Sequence, residues 1–201
     1  MKHFKHEQTL VIIKPDGVQR ALIGEVIQRF EKVGLKIVGL KFMVPTADLV
    51  QKHYTLEPSW IESVGAKKIK GLQEKGVTPP FTNPVEMGNA VLGQLVTYLT
   101  SGPVVAIALQ GAHAVAIVRK IVGSTEPLMS DVGTIRGDFV IDSYPMAESD
   151  KRAVRNVVHA SGTVKEAQDE LAHWFSAGEI VSYKTIQEAI LYDVNLDGIM
   201  E

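Results

Sequence analysis

Apolar residues recur along this chain with two periods. Residues 8–14, QTLVIIK, are a short β-rich run closed by the turn signal Pro15-Asp16-Gly17. Ile23, Val26, Ile27, Phe30 and Val33 then fall at helical spacing until Gly34 stops the pattern. LKIVGLKFMV (35–44) alternates as a half-buried strand does, and Thr46-Ala47-Asp48 starts a helix running to about Tyr54. Further on, the pattern predicts a helix over 89–100, a buried strand at 104–109 (VVAIAL) and a helix at 112–122 ending at Gly123. A strand-like FVID follows at 139–142. Residues 163–175 are strongly helical, with Val164, Ala167, Leu171, Trp174 and Phe175 on one face. Two stretches break the rhythm. Residues 57–91 hold Pro58, Gly65, Gly71, Gly76, Pro79, Pro80, Pro84 and Gly88, and read as an insertion with one short helix rather than as core. Residues 143–153, polar and containing Pro145, read as a loop or second insertion. The tail holds a short strand or helix near 179–193 and a polar end. Alternating helices with few strands predict one α+β sandwich spanning 1–201.

Composition narrows the class. Of 201 residues, 45% are apolar and 22% charged, enough for a real core and against disorder. The net charge of −2 gives no general pull toward nucleic acid or anionic membranes. The chain has no cysteine, which removes disulfides, thiolate metal sites and a cysteine nucleophile. No apolar run reaches a membrane span, and MKHFKHEQ lacks the apolar stretch of a signal peptide, so a cytoplasmic protein is expected.

Four constellations could carry chemistry. Lys14 ends the first strand beside a tight turn, where an ammonium on a long stem reaches an anion in the loop; a solvated turn lysine is the blander reading. Arg119, Thr125 and Arg136 could clamp a polyphosphate, although each arginine alone is more often a surface residue. Neither a P-loop string nor a Rossmann glycine fingerprint is present. In RNVVHASGT (155–163), His159 sits between apolar residues and a small polar helix start, and could be a base, ligand, nucleophile or structural residue. Ser161 or Thr163 could cap the next helix. Glu170 follows His159 by 11 residues, close to three helical turns, so a helix beginning near the histidine would put both on one face. The remaining histidines, His3, His6, His53, His113 and His173, carry weaker signals, and no H-E-x-x-H pattern suggests zinc.

Together these strings resemble the nucleoside diphosphate kinase family. The resemblance rests on TLVIIKPDGVQR (9–20), SGPVVAIALQG (101–111), RKIVGSTEP (119–127), GTIRGDF (133–139) and RNVVHASGT (155–163), with Glu170, Trp174 and Phe175 behind them. It implies a ferredoxin-like α/β sandwich with a four-stranded antiparallel sheet carrying two insertions. It also implies transfer of the γ-phosphate of a nucleoside triphosphate such as ATP to a nucleoside diphosphate through a phosphohistidine. His159 matches the phosphorylated histidine, Lys14 the lysine on the transferred phosphate, and Tyr54 the tyrosine near it. Arg119, Thr125 and Arg136 match phosphate-binding residues, Asn156 the asparagine on the sugar, and Ser161 and Glu170 the residues behind the histidine. Magnesium is implied on the nucleotide phosphates, with no metal ligand set of the protein's own. A homo-oligomer, a dimer-based tetramer or hexamer, is implied as the assembly.

The sequence departs from the family pattern in two places. His-Gly-Ser-Asp becomes His159-Ala160-Ser161-Gly162, without the carboxylate expected near magnesium. The phenylalanine that stacks on the base aligns with Val91, and Trp60 or Phe81 could replace that ring. Two rival readings follow: a catalytically weak nucleotide-binding scaffold on the same fold, and a nucleic-acid-binding regulator. The net charge and the single basic run from Lys67 to Lys70 disfavour the second.

Overall fold

A computed structural model describes residues 4–197, so His3 lies outside the described residues. The strands are β1 (Glu7–Ile13), β2 (Lys36–Met43), β3 (Val104–Gly111) and β4 (Val158–Ala160). They form one antiparallel sheet in the order β2-β3-β1-β4. The first helices are α1 (Pro15–Gln19), α2 (Ile23–Glu31), α3 (Ala47–Tyr54), α4 (Trp60–Glu74) and α5 (Pro84–Leu99). After them come α6 (Ala114–Val122), α7 (Ile135–Phe139), α8 (Tyr144–Ser149), α9 (Val164–Trp174) and α10 (Ile186–Leu191).

Successive strand residues face opposite ways, so a strand covered on both sides reads as an unbroken apolar run. β1 is such a strand. Val11 and Ile13 pack with Val26 and Phe30 of α2 and Val118 and Val122 of α6. Leu10 and Ile12 pack with Leu171 and Trp174 of α9 and with Phe175. All four β1 residues are fully buried. Truncating any one of them to alanine should cost about 1–5 kcal/mol.

This layering aims the histidine. β4 pairs with β1 so that His159 lies opposite Ile12, while Val158 lies opposite Ile13 and Ala160 opposite Val11. Val158 and Ala160 therefore enter the α2/α6 core, and the imidazole emerges on Ile12's face, toward α9. His159 is thus on a strand, and α9 begins only at Val164. The expectation that His159 and Glu170 share one helix face is wrong; sheet register, not helical spacing, brings them together.

Three other expectations are corrected. The 57–91 stretch is mostly two long helices, α4 and α5, packed on each other and carrying the buried Leu72, Met87 and Leu92. Its glycines permit that packing. A Cβ at Gly65 would overlap the Pro84 carbonyl, and one at Gly88 the Ile61 carbonyl. FVID is not a strand: Phe139 ends α7, and β4 holds the sheet edge beside β1. Residues 143–153 contain α8, which starts with the Ser143 side chain accepting from the Met146 N–H and Pro145 in its first turn.

Candidate active site

The imidazole of His159 is anchored from behind. Its Nε2 lies 2.8 Å from Oε1 of Glu170, whose other oxygen accepts from the Ser161 hydroxyl at 2.6 Å. Ser161 Oγ also accepts from the Leu10 N–H at 3.2 Å, which ties the carboxylate to β1. Ser161 therefore does not cap α9; Thr163 does, accepting from the Glu166 N–H. Burial pushes the Glu170 carboxyl up, but the charge and hydrogen bond of His159, with His53 and Ser161, outweigh it and pull it down to about 2. An ionised carboxylate at Nε2 fixes the ring tautomer and leaves the Nδ1 lone pair free.

Lys14 is 5% exposed, so it is not the solvated turn lysine. Its Nζ donates to Asn156 Oδ1 at 2.7 Å and sits 5.1 Å from the centre of the Tyr98 ring. Burial, reinforced by the nearby Arg136 charge and opposed by Asp16, lowers its pKa to about 7. Asn156 spans the site, since its Nδ2 donates to the Thr125 carbonyl at 2.9 Å. Below them, Tyr98 donates to Asp16 Oδ1 at 2.6 Å and accepts from the Asn156 N–H at 3.2 Å. Asp16 Oδ2 accepts from the Val157 N–H at 3.2 Å. Val157 has φ 64, a left-handed conformation for a β-branched residue that costs on the order of 1–3 kcal/mol. That kink, two residues before His159, is held by Asp16 and by the Lys14 N–H on the Val157 carbonyl at 2.7 Å. Asp16 and Tyr98 were not among the candidate site residues; the Asp of Pro-Asp-Gly was their one sequence signal.

The two arginines differ. Arg136, in α7 and 3% exposed, gives Nε to the Asn156 carbonyl, Nη1 to those of Gly123 and Ser124, and Nη2 to that of Val158. Four of its five N–H donors thus hold the loop before Thr125 and the strand of His159, and one remains. Burial and the Arg119 charge lower its pKa to about 10, so it stays a cation. Arg119, on α6, is exposed, and its side chain makes no hydrogen bond or ion pair among the described residues. Its guanidinium is open to a ligand. Burial pushes the Tyr54 hydroxyl up, so it stays protonated.

A cavity of about 1120 Å³ gathers Lys14, Tyr54, Arg119, Thr125, Arg136, Asn156, His159 and Glu170, while Ser161, Asp16 and Tyr98 stand behind its wall. One stripe of α4 (Trp60, Val64, Lys67, Lys68, Gly71) forms its outer wall, with Val91 of α5 and Glu148 of α8. Lys68 ion-pairs with Glu148 across that rim. Trp60 lies 5.3 Å from the Tyr54 ring, whereas Phe81 is outside the lining.

One cluster among the described residues has the spacing of a metal site: ligand atoms of His53, His159 and Glu170 lie within 4.8 Å of one another. Those atoms are already engaged, His159 with Glu170 and His53 Nδ1 with the Trp174 indole N–H at 3.2 Å. The other lining carboxylates are scattered. Glu148 pairs with Lys68, Asp169 with Lys165, and Glu166 Oε2 accepts from the Gly162 N–H at 3.0 Å. This donor set is no cage for a resident cation, but fits a magnesium ion that arrives on substrate phosphates.

Comparisons with known proteins agree with this geometry. The family model described as nucleoside diphosphate kinase matches residues 7–59 and 84–180, leaving out the whole of α4. A nucleoside diphosphate kinase of Pyrobaculum aerophilum is 45% identical over 179 residues, 87% of this chain and 98% of that protein. Nucleoside diphosphate kinase A of Mus musculus is 38% identical over 93% of this chain and 97% of that one. The crystal structure of an NDP kinase from Pyrobaculum aerophilum superposes with a TM-score of 0.85 at 44% identity, covering 88% of this chain and 100% of that one. A nucleoside-diphosphate kinase from Borrelia burgdorferi, solved as a transition-state mimic with vanadate and ADP, gives 0.76 at 33% identity, covering 93% of this chain and 97% of that one. No helix among the described residues is long and apolar enough to cross a membrane.

Proposed function

The chain belongs to the nucleoside diphosphate kinase family, and from that premise we propose how its own residues move the γ-phosphate of a nucleoside triphosphate to a nucleoside diphosphate. One observation carries the mechanism: Glu170 holds His159 Nε2, leaving Nδ1 free in a cavity whose wall carries Lys14, Arg119 and Arg136. The Nδ1 lone pair attacks the γ-phosphorus, and the N–P bond forms as the bond to the β,γ-bridging oxygen breaks. The electron pair leaves with the diphosphate, while the Nε2 proton stays on the ring facing Glu170. A terminal oxygen of a second diphosphate then attacks the phosphorus, and the N–P pair returns to Nδ1. Two symmetric half-reactions replace one difficult exchange.

Lys14, Arg119 and the remaining Arg136 donor stabilise the charge on the transferring group, the main task of a protein in phosphoryl transfer. The Thr125 hydroxyl and Tyr54 bind the phosphate chain, and Asn156 keeps Lys14 and the Thr125 loop in register beside the sugar. Magnesium supplies charge neutralisation on the nucleotide phosphates. Glu166, whose Oε2 lies 2.7 Å from where a Cβ at position 162 would be, would supply the carboxylate that Gly162 lacks. Trp60 offers the base the ring that Val91 lacks. A cytoplasmic homo-oligomer built from dimers is the assembly we infer. Exposed Leu40, Phe42 and Val44 along and just beyond the edge strand β2, and Val132 and Ile141 elsewhere, support burial between subunits.

Incubation with γ-labelled ATP, followed by a chase with a non-adenine diphosphate, tests this reading. Label should move to the protein and then to the new nucleotide. Binding without covalent label would favour a scaffold, and salt-dependent DNA binding near physiological salt would favour a regulator.

A further inference from the structure

A second imidazole is packed against the first. His53, in α3 and 4% exposed, lies with its ring centre 4.6 Å from that of His159, edge to face at 84°. Its Nδ1 is 3.6 Å from Glu170 Oε1, the oxygen that His159 Nε2 meets at 2.8 Å. Two histidines thus stand before one carboxylate oxygen. A protonated His53 Nδ1 would compete for it and draw Glu170 away from His159. Trp174 decides the contest. Its indole Nε1 is a donor only, and it reaches His53 Nδ1 at 3.2 Å. That nitrogen must then present its lone pair, so the proton of the neutral ring sits on Nε2.

We infer that His53 and Trp174 are positioning residues for phosphoryl transfer: the indole N–H holds His53 in the neutral Nε2–H tautomer and so reserves Glu170 for His159. The charged and titratable groups facing His53 are His159 on β4, Glu170 and His173 on α9, Lys14 at the end of β1 and the adjoining Tyr54. Burial first, then the charge of His159, lowers the His53 pKa to about 3 against the opposing pull of Glu170. The direction agrees with the geometry. Neither residue touches the phosphate in this scheme, and both act through the Glu170–His159 hydrogen bond. The proposal rests on His159 as the attacking group.

Two measurements test it. Ring-nitrogen NMR of the unsubstituted protein between pH 6 and 8 should show His53 neutral, with an unprotonated Nδ1. A proton on Nδ1 would overturn the proposal without bearing on the role of His159. Trp174→Phe should then leave Nδ1 free to protonate against Glu170. The acidic limb of the rate of labelling from γ-labelled ATP should move up by about one pH unit, an approximately tenfold loss below the limb, with ADP affinity unchanged. His53→Asn removes the titrating ring nitrogen, so adding it to Trp174→Phe should restore the original limb. An equal loss at every pH in Trp174→Phe, or a limb still displaced in the double variant, would overturn the proposal. Absence of label in the unsubstituted protein would instead overturn the reading of His159.

Discussion

The inner end of the cavity and its outer rim are built on different terms. At the inner end, Lys14, Arg136, Asn156, Ser161 and Glu170 are all buried, and each is held by hydrogen bonds within the site. At the rim, α4 presents Trp60, Lys67 and Lys68 from a segment that the family model does not match, bound across the opening by one half-exposed ion pair. Burial raises both the strength of a polar contact and the cost of losing a partner. Chemistry therefore belongs to the inner end, where a lost contact leaves a neighbour unpaired. The rim can vary without disturbing those buried contacts.

Substitutions should separate the two regions by magnitude. After loss of the imidazole itself, the largest effect is expected for Glu170→Gln, because the neutral amide no longer stabilises the proton at Nε2. Its kcat should fall on the order of 10²-fold with little change in KM. An equal fall in affinity would place Glu170 in binding instead. Trp60→Ala should weaken ADP binding by roughly 1–3 kcal/mol if the indole stacks on the base, while Phe81→Ala, outside the cavity lining, should change nothing. Equal effects of the two, in direct titration, would erase the distinction.

Lys14 gives an intermediate effect, read as a pH dependence. Its pKa is lowered to about 7 in the free protein, and a bound phosphate chain raises it. Binding therefore takes up a proton above pH 7. Affinity is full below pH 7 and falls by up to about tenfold per unit as pH rises toward the bound-state value. Calorimetry in buffers of different ionisation enthalpy should detect that proton, and Lys14→Met should abolish it. The smallest effect belongs to Lys68→Ala. A partly exposed ion pair contributes about 0–1 kcal/mol, so stability should hardly move, and a large loss in a denaturant titration would mean that the rim is structural.

What could be read in advance followed from local signals. β1, β3, α2, α3 and α9 lie close to where periodicity put them, because unbroken or regularly spaced apolar residues are all that those elements require. The α4–α5 pair was hidden because Gly65 and Gly88, which look like loop residues, serve a close helix contact. β4 was hidden because it is three residues long and enters through a left-handed valine. Lys14 and His159 could be picked out by their strings. Their supports could not: Trp174 reaches His53 across 121 positions and Tyr98 reaches Asp16 across 82, separations that leave no local pattern. Arg136 was found for its charge, but much of its work is holding backbone carbonyls.

The central claim is that His159 carries the phosphate. Incubation with γ-labelled ATP should give a phosphoramidate, labile in acid and stable in alkali, on the single peptide that contains residue 159. His159→Ala should lose the label and lower turnover by about 10⁴-fold or more, yet still bind ADP, because Lys14, Arg119 and Arg136 stand apart from the imidazole. Label that survives acid, label on another peptide, or turnover retained in His159→Ala would contradict it.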